Sequence, residues 1–230
     1  MKKLLLLLVF FWSIHVNIYS QNHNKKLFYS SFDNTVGLSN TLLSYGTLFK
    51  EKYIKRFKNN HNFFLNNKFN KGDIHYKGEP FFDVHLKYDI VDDFVVLKIL
   101  NQKQNISIKP NKSLIKTFQI GNFKFVNTKL GFLEELYVLK NFSIYKKHQK
   151  VSKENLDKLY KKYTFKEKEP QFILFYKGEY YSIKSKRDFI KIFPSKKKNI
   201  IKHYRSNKLL AKKDFKHFVI ILMKQLQELT

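Results

Sequence analysis

Between Lys71 and Leu100 apolar and polar positions alternate. Gly72 to Tyr76 is a short extended run and Lys77-Gly78-Glu79-Pro80 reads as a turn. Phe82, Val84, Leu86 and Tyr88 then fall on one side, with Asp83, His85 and Lys87 on the other. Asp92-Asp93 interrupts the pattern before a second apolar run, Phe94 to Leu100. Period-two alternation bounded by Gly, Pro and paired Asp predicts consecutive antiparallel strands. Ile106 and Ile108 alternate up to Pro110, Ser113 to Ile120 is extended, and Gly121-Asn122 leads into Phe123 and Phe125, a hairpin signal. Phe132 to Leu139 and Phe142 to Lys146 flank Lys140-Asn141 as a further hairpin. Thr47 to Phe57 is read as a strand, and Asn59 to Asn70 as an asparagine-rich loop pinned by Phe63, Phe64, Leu65 and Phe69. Residues 47–147 thus offer roughly eight short strands at the spacing of a sandwich, half-barrel or curled sheet.

Beyond residue 147 the pattern changes. In 148–170 Leu156, Leu159, Tyr160 and Tyr163 stand at helical spacing among charges, which predicts a short helix and a linker ended by Pro170. Phe172–Tyr176 and Tyr180–Ile183 flank Lys177-Gly178-Glu179 as a β-hairpin. Ser185 is placed as a helix N-cap with Asp188 three residues on, a variant of the capping box. Phe189, Ile190, Ile192 and Phe193 follow, and Pro194 stops that helix. A second helix starts at Ser195 and carries Ile200, Ile201 and Tyr204. A third starts at Asp214 and presents one stripe: Phe215, Phe218, Val219, Leu222, Leu226 and Leu229. The fold class expected is α+β: an antiparallel β-meander over 21–147, a charged helix or linker at 148–170, then a hairpin and short C-terminal helices over 171–230 packed on the sheet.

The start of the chain reads as an address. Lys2 and Lys3 precede an apolar run, Leu4 to Trp12, that fades by Ile18 and gives way to Ser20 and a polar stretch, the pattern of a secretory signal peptide cleaved after Ser20. The run falls short of the about 20 apolar residues of a membrane span. Residues 21–46 are read as irregular, with one short strand near Leu27 to Ser30. There is no cysteine, so neither a disulfide framework nor thiol chemistry is available, and an exported chain of this kind is held by burial alone. A periplasmic or extracellular location follows as the expectation.

Charge changes the picture more than composition does. Forty-five Lys and Arg stand against 18 Asp and Glu, a formal +27. Nucleic acid is disfavoured as the partner, because only Arg56, Arg187 and Arg205 are arginine and bidentate recognition of bases and phosphates favours that residue. Anionic envelope lipid, acidic polysaccharide or another envelope protein fits an exported basic chain better. The expected contact is a basic face of Lys186, Arg187, Lys196, Lys197, Lys198, Lys202 and Arg205, with any membrane contact peripheral.

No catalytic residues emerge. Glu134 and Glu135 are adjacent and face opposite sides of a strand, no G-x-S-x-G is present, and the seven glycines are scattered rather than gathered in a phosphate loop. No cofactor is implied. A metal-dependent or hydrolytic enzyme is the alternative, resting on His75, Asp83 and His85, of which Asp83 and His85 are expected to share a strand face.

Two stretches carry a resemblance. GDIHYKGEPFFDVHLKYDIVDDFVV, and KGEYYSIKSKRDFIKIFPSKKKNIIKHYRSNKL nearer the C-terminus, are similar in order and spacing to a family of exported Bacteroidetes proteins without an assigned function. The resemblance implies an envelope location and a β-rich domain with a lysine-rich helical tail. It implies no catalytic residue.

Overall fold

A computed structural model describes residues 26–101, 104–157 and 160–228. The expected signal peptide, residues 1–20, lies outside the described residues. The fold class is α+β and antiparallel, with short C-terminal helices, and the chain divides into two compact units. One unit holds residues to Lys52, Leu65–Asp89 and Phe94–Asn122; the other holds Tyr53–Phe64, Ile90–Asp93 and the chain from Phe123 onward. Composition placed the boundary near 147. The structure instead groups the later meander strands with the C-terminal section, because the helices pack on those strands.

The first unit opens with a helix over 26–36, α1, where the sequence reading expected irregular chain and a short strand. Its strands are β1 (Gly46–Leu48), β2 (Asn70–Tyr76), β3 (Glu79–Asp89), β4 (Phe94–Asn101), β5 (Gln104–Pro110) and β6 (Ile115–Ile120), hydrogen-bonded in the order β1-β5-β4-β3-β2-β6. Of the strand expected over 47–57 only Thr47 and Leu48 lie in one, at the end of β1, with an isolated bridge at Lys55. The link from β5 to β6, residues 111–114 with a tight turn at Lys112–Leu114, nonetheless bridges three intervening strands. Four strand spacings in a flat sheet are roughly 19 Å, whereas this link reaches about 13 Å. The sheet of this unit is therefore curled, and the Lys77 amide, bonded to the Leu114 carbonyl at 2.8 Å, continues the β2–β6 ladder into this link.

The β2–β3 turn has Lys77 at φ 51° and Gly78 at φ 90°, both left-handed, as the tight hairpin turn that matches strand twist requires. A bulge follows. Gly72 pairs with Val84 but Ile74 pairs with Phe81, so Phe82 and Asp83 together oppose Asp73. Asp83 sits at φ 54° and its amide donates to the Asp73 carboxylate at 3.0 Å. The extra residue shifts the phase. Phe81 joins Val84, Leu86 and Tyr88 in the core, and Phe82, expected there, is only half-buried.

The second unit holds β7 (Phe123–Thr128), β8 (Gly131–Val138), β9 (Phe142–Lys147), β12 (Gln171–Tyr176) and β13 (Glu179–Ile183) in the order β7-β8-β9-β12-β13. Adjacent residues face opposite ways. Phe142, Ile144, Leu174 and Ile183 turn to the C-terminal helices, while Leu133, Tyr145 and Ile173 form a second cluster. The helices are α2 (Lys186–Ile192), α3 (Lys197–Ser206), α4 (Lys208–Lys213) and α5 (Phe215–Glu228). α4 is a short helix between the second and third helices expected from the sequence. Of the expected α5 stripe, Phe218, Val219, Leu222 and Leu226 are buried and Phe215 is half-buried, while Leu229 lies outside the described residues. No helix among the described residues is long and apolar enough to cross a membrane.

None of the described residues in 148–170 is helical, and Leu159 of the expected stripe lies outside them. β10 (Lys150–Asp157) and β11 (Tyr160–Glu167) form a separate two-stranded ribbon. Leu156 and Tyr160, counted towards a helical stripe, are 85 and 63 % exposed. Cross-strand bonds join the two strands: Asn155 Nδ2 to Thr164 Oγ1 at 3.1 Å, Tyr163 Oη to Glu154 at 3.2 Å, and Lys161 to Glu154 at 3.0 Å. The base is pinned by Tyr53, edge-on to Tyr163 and Phe165 at 5.0 and 5.2 Å. Asn60 adds two bonds to the Phe165 backbone, at 2.8 and 2.6 Å.

Candidate functional site

The basic face is built by helix geometry. The turn before α2 has the expected capping pair: the Ser185 amide and Oγ and the Lys184 amide all donate to Asp188 Oδ2, at 2.8, 3.0 and 3.0 Å. Burial raises the Asp188 pKa, but these hydrogen bonds and nearby Lys191 outweigh it and leave the group below its ordinary value. Phe189 is the buried anchor of α2, so Lys186 and Arg187 lie exposed at its start. In α3, Ile200 and His203 are buried. At about 100° per residue, Lys198, Lys202 and Arg205 fall together on the opposite face, and all three are exposed. Lys197 is exposed at the helix start, and Lys196 is half-buried in the turn before it.

Carboxylates are scarce around this face. Between Lys184 and His217 there are 13 Lys and Arg and two Asp. Both carboxylates are engaged locally, Asp188 in the cap and Asp214 by the amide and ring of His217, at 3.0 and 2.5 Å. The hydrogen bond from His217 holds the Asp214 pKa down. Among the described residues Lys186, Arg187, Lys197, Lys198, Lys202 and Arg205 make no ion pair.

Three cavities flank the helices, and among the described residues no Asp or Glu lines any of them. The first, about 460 Å³, opens between the β8–β9 and β12–β13 turns and is lined by Lys140, Ser143, Tyr176, Lys177 and Gln227. The second, about 310 Å³, shares Tyr176, Lys177 and Gln227 with it and adds Phe193 and Lys196. Tyr176 packs on Phe193 at 4.9 Å, and Lys177 Nζ lies 5.4 Å from the Tyr176 ring centre. Gln227 Nε2 is buried without an acceptor, an amide donor facing lysines. The third cavity, about 360 Å³, lies between α3 and α5 and is lined by Asn199, Lys202, His203, Ser206 and Asn207. His203 Nδ1 is 2.8 Å from Gln225 Oε1, while its Nε2 is buried without a partner. Of the seven predicted residues, Lys196 and Lys202 reach cavities. Lys140, Lys177 and Gln227 were not foreseen, and no local signal marks them: two are turn residues brought together only by the pairing of β9 with β12.

The structure does not bring His75, Asp83 and His85 together. His85 pairs with Lys71 and His75 with Pro80, four positions apart along β2, or about 13 Å. Asp83, in the bulge, has Lys26 at 3.4 Å. No three His, Asp or Glu side chains among the described residues form a set that could hold a metal. A different acid–histidine pair exists that the sequence did not suggest. His148 Nε2 is 2.5 Å from Glu134 Oε2, both side chains largely buried, and the ring stands edge-on to Phe64 at 4.8 Å. None of the three cavities is lined by either residue, so the pair serves as a link between β8 and the chain leaving β9.

Comparison of the chain with protein-family models, with curated proteins and with solved structures finds no match.

Proposed function

We propose that this is an exported, non-enzymatic binding module that docks peripherally on anionic envelope lipid through its C-terminal helical section. The observation that carries the reading is the pair of cavities beside α5 that share Tyr176, Lys177 and Gln227, lined by Lys140, Lys177, Lys196 and a Gln227 amide without an acceptor, with aromatic walls and no carboxylate among the described residues. Such a set offers charge and hydrogen bonds to a phosphate-bearing headgroup and an apolar surface to what is attached to it. The start of α3 supports it. Lys196, Lys197 and Lys198 stand at the positive end of the helix dipole with no acidic residue in the first turn, an arrangement that an adjacent anion relieves. The leader-like first twenty residues and the resemblance to exported Bacteroidetes proteins support an envelope location.

The test is co-sedimentation of the purified protein with vesicles of phosphatidylcholine alone or with phosphatidylglycerol added. Binding only to the anionic vesicles, weakening as salt rises, is expected. Equal binding to both, or binding to an acidic polysaccharide but to neither vesicle, would refute the lipid reading.

A further inference from the structure

The first unit holds a cavity of the opposite character. It measures about 440 Å³ and lies between α1, the turns at Leu38–Ser44 and the start of β3. Two carboxylates line it, Asp33 and Glu79, and among the described residues no Lys or Arg does, in a chain of formal charge +27. Its walls are aromatic. Phe28, Phe32 and Tyr45 are 70, 55 and 71 % exposed, an unusual display for three large rings, and Phe28 meets Tyr29 edge-on at 5.8 Å.

Asp33 makes this more than an open groove. The residue is only 8 % exposed, and its Oδ2 is buried with no hydrogen-bond partner among the described residues. Burial, and then the charge of Glu79, push its carboxyl above the ordinary range. Neither acid has an ion-pair partner among the described residues. Lys26, the nearest lysine in the chain, is engaged elsewhere, with Asp73, Asp83 and the Phe82 ring. A buried carboxylate without a partner is costly unless something supplies one. A hard metal ion would want about six oxygen ligands, and the rings cannot provide them. An ammonium group needs only counter-charge and ring faces, and aromatic walls with carboxylates recognise it.

We propose that this cavity binds a small organic cation, an ammonium on an apolar body, with Asp33 and Glu79 as counter-charges and Phe28, Tyr29, Phe32 and Tyr45 as its walls. The site is independent of the basic helical section, and neither reading depends on the other.

The experiment is calorimetric titration of the full chain with benzyltrimethylammonium, and with choline against its uncharged isostere 3,3-dimethylbutan-1-ol, in the absence of lipid. One-to-one binding of the cations is expected, with the neutral isostere roughly tenfold weaker or worse. Asp33→Asn keeps the shape, should fold at least as stably as the parent, and should weaken cation binding about tenfold. Phe28→Ala, at an exposed ring, should cost several-fold without changing the melting temperature. Equal affinity for choline and its isostere, unchanged affinity in both variants, or no cation binding at millimolar concentration would each overturn the assignment.

Discussion

Lys198, Lys202 and Arg205 provide the sharpest test of the basic face. They span seven residues of α3, about 10.5 Å of helix, close to one screening length at physiological salt. An anionic bilayer therefore acts on the three charges together. Each Lys or Arg held near such a surface contributes about 1 kcal/mol, so the triple variant Lys198→Gln, Lys202→Gln, Arg205→Gln should lose about 3 kcal/mol, roughly 100-fold in partitioning. The side chains are exposed and make no ion pair among the described residues, so folding stability should hold within about 0.5 kcal/mol. Removing the like-charge pair at Lys198 and Lys202, four residues apart, should if anything raise it slightly. The assay is vesicle co-sedimentation across a salt series, with thermal melts as the control. The parent should lose binding steeply as salt rises and the variant should show a flatter slope. Parental affinity with a parental slope in the variant would refute the assignment to this face, and Lys140 and Lys177 would then be the charges to change.

Phe218→Ala should destabilise the protein by about 3–5 kcal/mol in urea unfolding, because the ring is fully buried and packs on Tyr204 and His203 at 4.5 and 4.7 Å; a loss under about 1 kcal/mol would contradict that packing. Asn60→Ala removes both bonds to the Phe165 backbone, worth about 2 kcal/mol together, and should speed hydrogen exchange at the Phe165 amide roughly 30-fold; unchanged exchange would mean that the ribbon is held by other contacts. Asp188 has a folded pKa below its ordinary value, despite burial, because the Lys184 and Ser185 donors favour the carboxylate. Its contribution is therefore present above the unfolded value, about 3.9, and lost as pH falls through the folded pKa. Thermal melts of Asp188→Ala should differ from the parent at neutral pH, on the scale of about 1 kcal/mol for a cap, and converge in acid; a constant offset down to pH 2 would show that ionisation is not what holds the cap.

Several elements could be read locally because their determinants are local. The Lys-Gly-Glu turns at 77–79 and 177–179 sit between alternating runs, and both turns adopt the left-handed pair, with Lys177 at φ 49° and Gly178 at φ 82°. The Ser185–Asp188 cap and the α5 stripe likewise depend on spacings within one helix. Lysine density in the C-terminal section was legible too, since local scarcity of carboxylates needs no tertiary information.

Other features depended on partners distant in sequence. α1 has few strong helix formers, and its Phe28, Phe32 and Val36 at four-residue intervals mark the wall of a cavity rather than a buried stripe. The ribbon at 150–167 shows helical spacing in sequence, yet Tyr53 and Asn60, about a hundred residues away, make an extended pair the better-bonded arrangement. One left-handed aspartate, Asp83, exchanged Phe82 for Phe81 in the core, because a bulge reverses the faces of everything beyond it. The order in which strands pair then gathered Lys140 with Lys177, and the fold of the first unit set Asp33 beside Glu79. The sequence by itself determined the tight turns, the α2 cap and where charge accumulates, since these are written in short-range spacing and composition. Which charges share a cavity was decided by strand order and chain curvature, which no short-range period encodes.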